Sequence, residues 1–148
     1  MSDIIVRKAV LKDVSAIAEI ERMSIPQPWS ETAFANALAQ DNAVTLAAIC
    51  DGAVCGFITG VYVLDSADIY SVAAAEEYRR KGVGGKLLEA FFSALPECVE
   101  AVGLEVRESN SAAISLYEKH GFERVGMRKN FYSDPKENAV LMTKKLQK

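Results

Sequence analysis

Apolar residues recur along this chain in two rhythms, period two and period 3.6, and the changes between them predict its elements. Residues 4–10 read as a first strand. Val14, Ile17, Ala18, Ile20 and Met23 then recur at helical spacing and predict an amphipathic helix. It cannot continue through Ile25-Pro26-Gln27-Pro28-Trp29, because each proline removes a donor and holds its predecessor extended. Ser30 is a suitable N-cap for a second helix through about Leu38. Residues 43–50 and 54–63 are rich in β-formers, and Asp51-Gly52 between them is a hairpin turn signal. A strand is expected at 68–73, a helix at 84–95 stopped by Pro96, and a strand at 101–107. Ser109 or Asn110 can cap a helix containing Ile114, Leu116 and Tyr117, with Gly121 as its C′ residue. Residues 122–128 and 140–145 complete the pattern as two strands.

The resulting order is β-α-α-β-β-β-α-β-α-β-β, without an internal repeat, low-complexity tract or linker, so residues 1–148 are expected to form a single domain. Strands with interspersed helices predict an α/β (α+β) fold, a mixed sheet covered on both faces. A chain of 148 residues can bury roughly 70% of its unfolded surface in one core. The net charge of −3 argues against a general nucleic-acid binder, although the stretch from Arg79 to Lys86 is locally basic. No stretch is apolar enough to span a bilayer, and the N-terminus lacks the pattern of a secretion signal. Cys50, Cys55 and Cys98 lack a C-x-x-C spacing, and His120 is the only histidine, so neither a disulfide framework nor a metal site is expected. A reduced, cytoplasmic setting follows as the expectation, with no membrane partner.

Chemistry concentrates first in Tyr78-Arg79-Arg80-Lys81-Gly82-Val83-Gly84-Gly85-Lys86-Leu87-Leu88. Glycines leave backbone N–H groups unshielded, and a helix starting there adds the positive end of its dipole. Such a segment suits an anion, above all a pyrophosphate. It is not a Walker A loop, which needs glycine where Arg80 stands and Ser or Thr where Leu87 stands. A Rossmann fingerprint from Gly82 also fails at Leu87. The spacing Arg79-x-x-Gly82-x-Gly84 resembles instead the acyl-CoA pyrophosphate loop of the GCN5-related N-acetyltransferases. Taken alone it also describes a plain basic helix N-terminus.

The resemblance extends along nearly the whole chain. Leu104-Glu105-Val106-Arg107-Glu108-Ser109-Asn110 and Ala113-Ile114-Ser115-Leu116-Tyr117-Glu118-Lys119-His120-Gly121-Phe122 look like the RimI-type branch of that family, as do Arg128-Lys129-Asn130-Phe131-Tyr132 and Pro28-Trp29-Ser30. The branch acetylates the N-terminal alanine of a ribosomal small-subunit protein. The resemblance therefore implies a mostly antiparallel sheet of about seven strands flanked by four helices. It also implies acetyl-CoA as co-substrate and direct transfer to a protein or peptide acceptor; a monomer is the expectation. Acetylation of another terminus, a lysine or a small amine is an alternative on the same fold. A non-catalytic acyl-CoA-binding module is an alternative of another class.

The reaction needs a base for the ammonium group, whose reference pKa is near 8, and an acid for the departing thiolate. Glu105 alternates against Leu104 and Val106, so it faces away from both. Read blandly it is a solvated strand glutamate or a partner of Arg107; by resemblance it is the general base. Tyr117 is a core aromatic whose hydroxyl, by resemblance, is the general acid. The resemblance also assigns backbone pairing with pantetheine to Val72, Ala73 and Ala74, and pyrophosphate binding to Arg79, Arg80, Lys81, Gly82, Val83 and Gly84. Here the sequence departs from the family, which commonly has valine at the position of Ala74 and often proline at that of Glu76. The side chains of Arg79 and Arg80 reach phosphate or are solvated, and Asn110 is an N-cap, a cofactor contact or both. Trp29 lines the acceptor cleft or anchors the first two helices, while Tyr132 lines the peptide entrance or caps a strand end. Glu31, Asp134 and Glu137 would favour a basic peptide, unless they are ordinary surface acids. Cys98 reads as a small buried hydrophobe and His120 as a helix-end cation, not as catalysts.

Overall fold

A computed structural model of the chain describes residues 3–24, 29–133 and 136–146. Pro28 and Asp134, singled out above, lie outside the described residues. The first strand, β1 (Ile5–Lys8), leads through a single 3-10 turn into helix α1 (Val14–Arg22). That helix buries Val14, Ile17, Ala18, Ile20 and, unexpectedly for an apolar stripe, Glu21. Helix α2 (Glu31–Leu38) starts where predicted: the Ser30 hydroxyl accepts the Ala33 N–H at 3.1 Å. Strands β2 (Ala43–Cys50) and β3 (Ala53–Val63) form the predicted hairpin around Asp51-Gly52, both with positive φ. Strand β4 (Ser66–Ala74) pairs back on β3. A second 3-10 turn (Glu76–Tyr78) leads to helix α3 (Val83–Ala94), then strand β5 (Ala101–Arg107) and helix α4 (Ser111–Lys119). Strands β6 (Glu123–Tyr132) and β7 (Glu137–Lys145) form a longer hairpin than the apolar pattern predicts.

Among the described residues these strands make a seven-stranded sheet in the order β1-β2-β3-β4-β5-β7-β6. Every neighbouring pair is antiparallel except β4–β5. On one face, α3 and α4 pack Leu87, Leu88, Phe91, Ile114 and Tyr117 against Ile58, Ile69, Leu104, Val106 and Met142. On the other, α1 and α2 cover Ala47 and Phe57 with Ile17, Ala18 and Phe34. Glu105 stands between Leu104 and Val106, and so projects on the α1 side of the sheet.

Strand β4 carries the irregularity that shapes the site. Thr59 lies opposite Ser71 and Gly60 opposite Ile69, which leaves Tyr70 as the extra residue of a β-bulge. Gly60 makes room for it. A Cβ there would overlap the Asp68 carbonyl oxygen and come within 2.8 Å of the buried Phe91 ring. Because neither backbone nor packed ring can yield cheaply, Gly60→Ala should cost at least about 2 kcal/mol. Thermal unfolding followed by circular dichroism should show a melting temperature lower by roughly 4–8 °C, whereas an unchanged midpoint would mean that the strand pair tolerates a Cβ.

Candidate active site

The parallel pairing of β4 with β5 stops almost as soon as it starts. Ser66, Ala67 and Asp68 face Ala101, Val102 and Gly103, and beyond them the two strands part. Strand β5 stays paired with β7 as far as Arg107, and β4 stays paired with β3. Val72, Ala73 and Ala74 therefore face Ile58, Phe57 and Gly56 along one edge and, among the described residues, have no strand along the other. A wedge whose open edge no strand takes up, with only the Ala74 carbonyl held by the Arg79 guanidinium, is a place for an extended, amide-bearing chain to add as a strand would. The β4 bulge at Tyr70 lies two residues before Val72, the first of the three residues singled out from the sequence.

At the open end of the wedge the chain turns into α3. Arg80 and Gly82 both take left-handed backbone conformations, φ +66° and +84°. The first helical bond runs from the Lys86 N–H to the Gly82 carbonyl at 3.1 Å, so the N–H groups of residues 82–85 have no acceptor inside the helix. These donors include Val83 and Gly84, and a Cβ on Gly84 would come within 2.8 Å of Leu116, so α3 and α4 touch there. Arg79 does not point into this cradle. Its guanidinium donates to the Ala74 carbonyl at 3.4 Å and to the Ser24 hydroxyl at 3.3 Å. Lys81 sits 5.7 Å above the Tyr78 ring, and the Arg80 side chain is exposed. The backbone of the loop, more than its cations, is what is arranged for an anion.

A groove of about 610 Å³ runs along the α1 side of the sheet, lined among others by Asp68, Tyr70, Glu105, Arg128, Phe131 and Tyr132. Glu105, with a side chain 33% exposed, pairs with Arg128 at 3.6 Å and not with Arg107. The Arg107 guanidinium lies 4.4 Å over the Tyr132 ring instead. Burial pushes the Tyr132 phenol up, and the Glu105 charge adds to it while Arg107 works against it. Tyr132 thus lies within electrostatic reach of both. Tyr117, only 8% exposed, stacks edge-on against Phe122 at 5.7 Å. Burial pushes its phenol well above the usual tyrosine range, with Tyr132 adding to the effect. Tyr117 is thus a neutral donor at neutral pH. Its hydroxyl has no hydrogen bond among the described residues.

The groove brings Glu105 and Tyr132 together, while Tyr117 lies in the core under α4 and within electrostatic reach of Tyr132. Trp29 stands apart from this group. It packs on Phe34 at 5.2 Å and on Tyr70 at 5.7 Å, so it is a packing anchor that touches the groove wall through Tyr70. Asn110 caps α4, accepting the Ala113 N–H at 3.2 Å. Cys98 is exposed, not buried as expected, and donates to the Leu64 carbonyl at 3.4 Å. His120 ties α4 to α3 through Glu89 at 2.7 Å. A larger cavity of about 710 Å³ lies between Cys50, Tyr78, Lys81 and Lys86, away from both candidate proton carriers.

Residues 14–122 match the acetyltransferase (GNAT) family. The chain belongs to that family. An N-alpha-acetyltransferase of Sulfurisphaera tokodaii is 36% identical to it over 151 residues, covering 93% of this chain and 90% of the relative. The ribosomal protein bS18-alanine N-acetyltransferase of Escherichia coli (strain K12) is 35% identical over 133 residues, covering 88% and 89%. The crystal structure of the ribosomal-protein-S18-alanine N-acetyltransferase from Escherichia coli superposes with a TM-score of 0.89 at 32% identity, over 99% of this chain and 96% of that one. The segment matching the GNAT family contains the wedge, the loop, Glu105 and Tyr117, whereas Arg128, Phe131 and Tyr132 follow it. Sequence reasoning missed Tyr70 and Arg128 in this GNAT site. The bulge that turns Tyr70 to the groove has no residue signature here, and β6 carries no alternation that would single out Arg128.

Proposed function

We propose that this acetyltransferase moves an acetyl group from acetyl-CoA directly to the free α-amino group of a protein, with an N-terminal alanine of a ribosomal small-subunit protein as the acceptor. The observation that carries the reading is the wedge of β4 and β5, with the free N–H groups of residues 82–85 at its open end and Glu105 and Tyr132 in the groove of the same sheet. Relatives named for N-alpha and for bS18-alanine acetylation, each aligned over most of this chain, support the class of acceptor. The whole chain acts as one catalytic domain, a monomer at work in the cytoplasm.

Val72, Ala73 and Ala74 would hold the pantetheine amides through their open edge, and the N–H groups of residues 82–85 the pyrophosphate. Arg79, Arg80 and Lys81 add positive charge around that cradle, and Asn110 keeps α4 in place while its amide faces the donor. The donor supplies an activated thioester. Glu105 takes the proton of the acceptor amine as the N–C bond forms, and Tyr117 gives its proton to the sulfur as the C–S bond breaks. A phenol held neutral by burial is still protonated when that moment comes. Tyr132, with Trp29 behind Tyr70, borders the acceptor entrance.

Peptides with free or blocked α-amino ends, each with and without lysine, test this reading. Incubated with acetyl-CoA and followed by mass spectrometry, the peptides with free alanine termini should be acetylated whether or not they contain lysine. Transfer to lysine alone would refute it, and tight acetyl-CoA binding without transfer to any amine would mark a binding module.

A further inference from the structure

Glu21 is a carboxylate where α1 has use for a hydrocarbon. It continues the stripe of Val14, Ile17 and Ala18, and only 1% of it is exposed. Leucine would satisfy packing at that position, and a buried carboxylate is costly unless its oxygens take hydrogen bonds. Those bonds are informative. One oxygen accepts the Trp29 N–H at 2.6 Å, and the other meets the Ser71 hydroxyl at 2.5 Å. Trp29 begins the approach to α2, and Ser71 follows the bulge residue Tyr70 in β4. The rings of Trp29 and Tyr70 are themselves 5.7 Å apart, and Tyr70 lines the groove that contains Glu105.

From this geometry we infer that Glu21 is a positioning residue for the acceptor: a single buried carboxylate fixes both Trp29 at the approach to α2 and the β4 bulge, and so sets where the groove wall at Tyr70 stands. The inference rests on the reading of the groove as the acceptor site. It asks nothing of Glu21 in proton transfer. Removing both acceptors frees Trp29 and Ser71 to move, and Tyr70 with them, while the wedge and the loop of α3 keep their own supports. The peptide should notice and acetyl-CoA should not.

Three variants test this, with KM measured separately for an alanine-terminated peptide and for acetyl-CoA. Glu21→Met keeps the length and loses the acceptors; the peptide KM should rise about tenfold while the acetyl-CoA KM stays within about twofold. Glu21→Gln should stay within about threefold of wild type, because its carboxamide oxygen accepts the Trp29 N–H and its NH₂ donates to Ser71. Ser71→Ala cuts one arm only, should raise the peptide KM about threefold, and decides the matter if Glu21→Met does not fold. Equal rises in both KM values, no rise in either, or a Glu21→Gln enzyme as impaired as Glu21→Met would overturn the inference. Wild-type transfer to lysine alone would refute the N-terminal reading while leaving the same comparison to be made with the lysine peptide. Transfer to no amine would overturn both.

Discussion

Replacing Glu105 by glutamine should lower kcat by about 10²- to 10³-fold, within the span typical of a lost general base, and leave acetyl-CoA binding within about twofold. The carboxamide keeps the size of the side chain and removes its capacity to take a proton. Stability should hardly change, within about 0.5 kcal/mol, because the side chain is partly exposed and its ion pair with Arg128 is at the surface. Loss of turnover with intact folding and intact donor affinity is therefore the combination to look for, in steady-state thiol release alongside calorimetric binding of acetyl-CoA. Raising the pH should recover part of the loss, since an α-amino group with a reference pKa near 8 deprotonates without help above that value. Full activity at pH 7 in the glutamine variant would remove Glu105 from the mechanism and leave it as an ordinary partner of Arg128.

Much of the architecture was legible because its elements are punctuated by residues with local mechanisms. Ser30 and Asn110 cap the helices expected of them, and Asp51-Gly52 turns the expected hairpin. Where the physics is non-local, the sequence was silent. Strand β6 runs to Tyr132, and its side chains are exposed along almost its whole length. It is an edge strand held by pairing with β7, so no apolar alternation marks its extent. The β4 bulge depends on Gly60 of the neighbouring strand and on Phe91 beneath it, residues separated in sequence from Tyr70. Cys98 follows an apolar helix yet is exposed, because α3 ends at Ala94 and Cys98 sits in a turn between the buried Leu95 and Val99.

The candidate site divides the same way. Glu105 and Tyr117 could be proposed from motif and alternation, but their partners could not. Arg128 replaces Arg107 beside Glu105 because pairing of β5 with β7 and of β7 with β6 brings β6 across the groove, a register known only from the folded sheet. Arg79 leaves the anion cradle for Ser24, a residue separated from it in sequence by strands β2, β3 and β4. Glu21 did leave a trace: it falls seven residues after Val14 and four after Ile17, at apolar spacing. A charged residue in that register is the sign of a buried acceptor looking for donors.

Tyr117→Phe separates the two halves of the proton transfer most cleanly. The hydroxyl has no hydrogen bond among the described residues, so its removal leaves no orphaned partner, and stability should stay within about 1 kcal/mol. The ring keeps its packing against Phe122. Turnover should nevertheless fall about a hundredfold, with acetyl-CoA affinity changed less than about threefold, because the lost proton matters only as the C–S bond breaks. An acyl donor whose thiol is more acidic should narrow the gap between the variant and wild type, since its leaving group needs less protonation. Titration supplies an independent check. The folded phenol lies above the ordinary value near 10, so the stability it confers is complete below that pH and is lost as pH rises toward the folded value. The phenylalanine variant should lack this component of alkaline unfolding, and wild-type turnover should show no Tyr117-linked decline below about pH 10. Unchanged kcat under conditions where chemistry limits the rate would assign Tyr117 to the core alone.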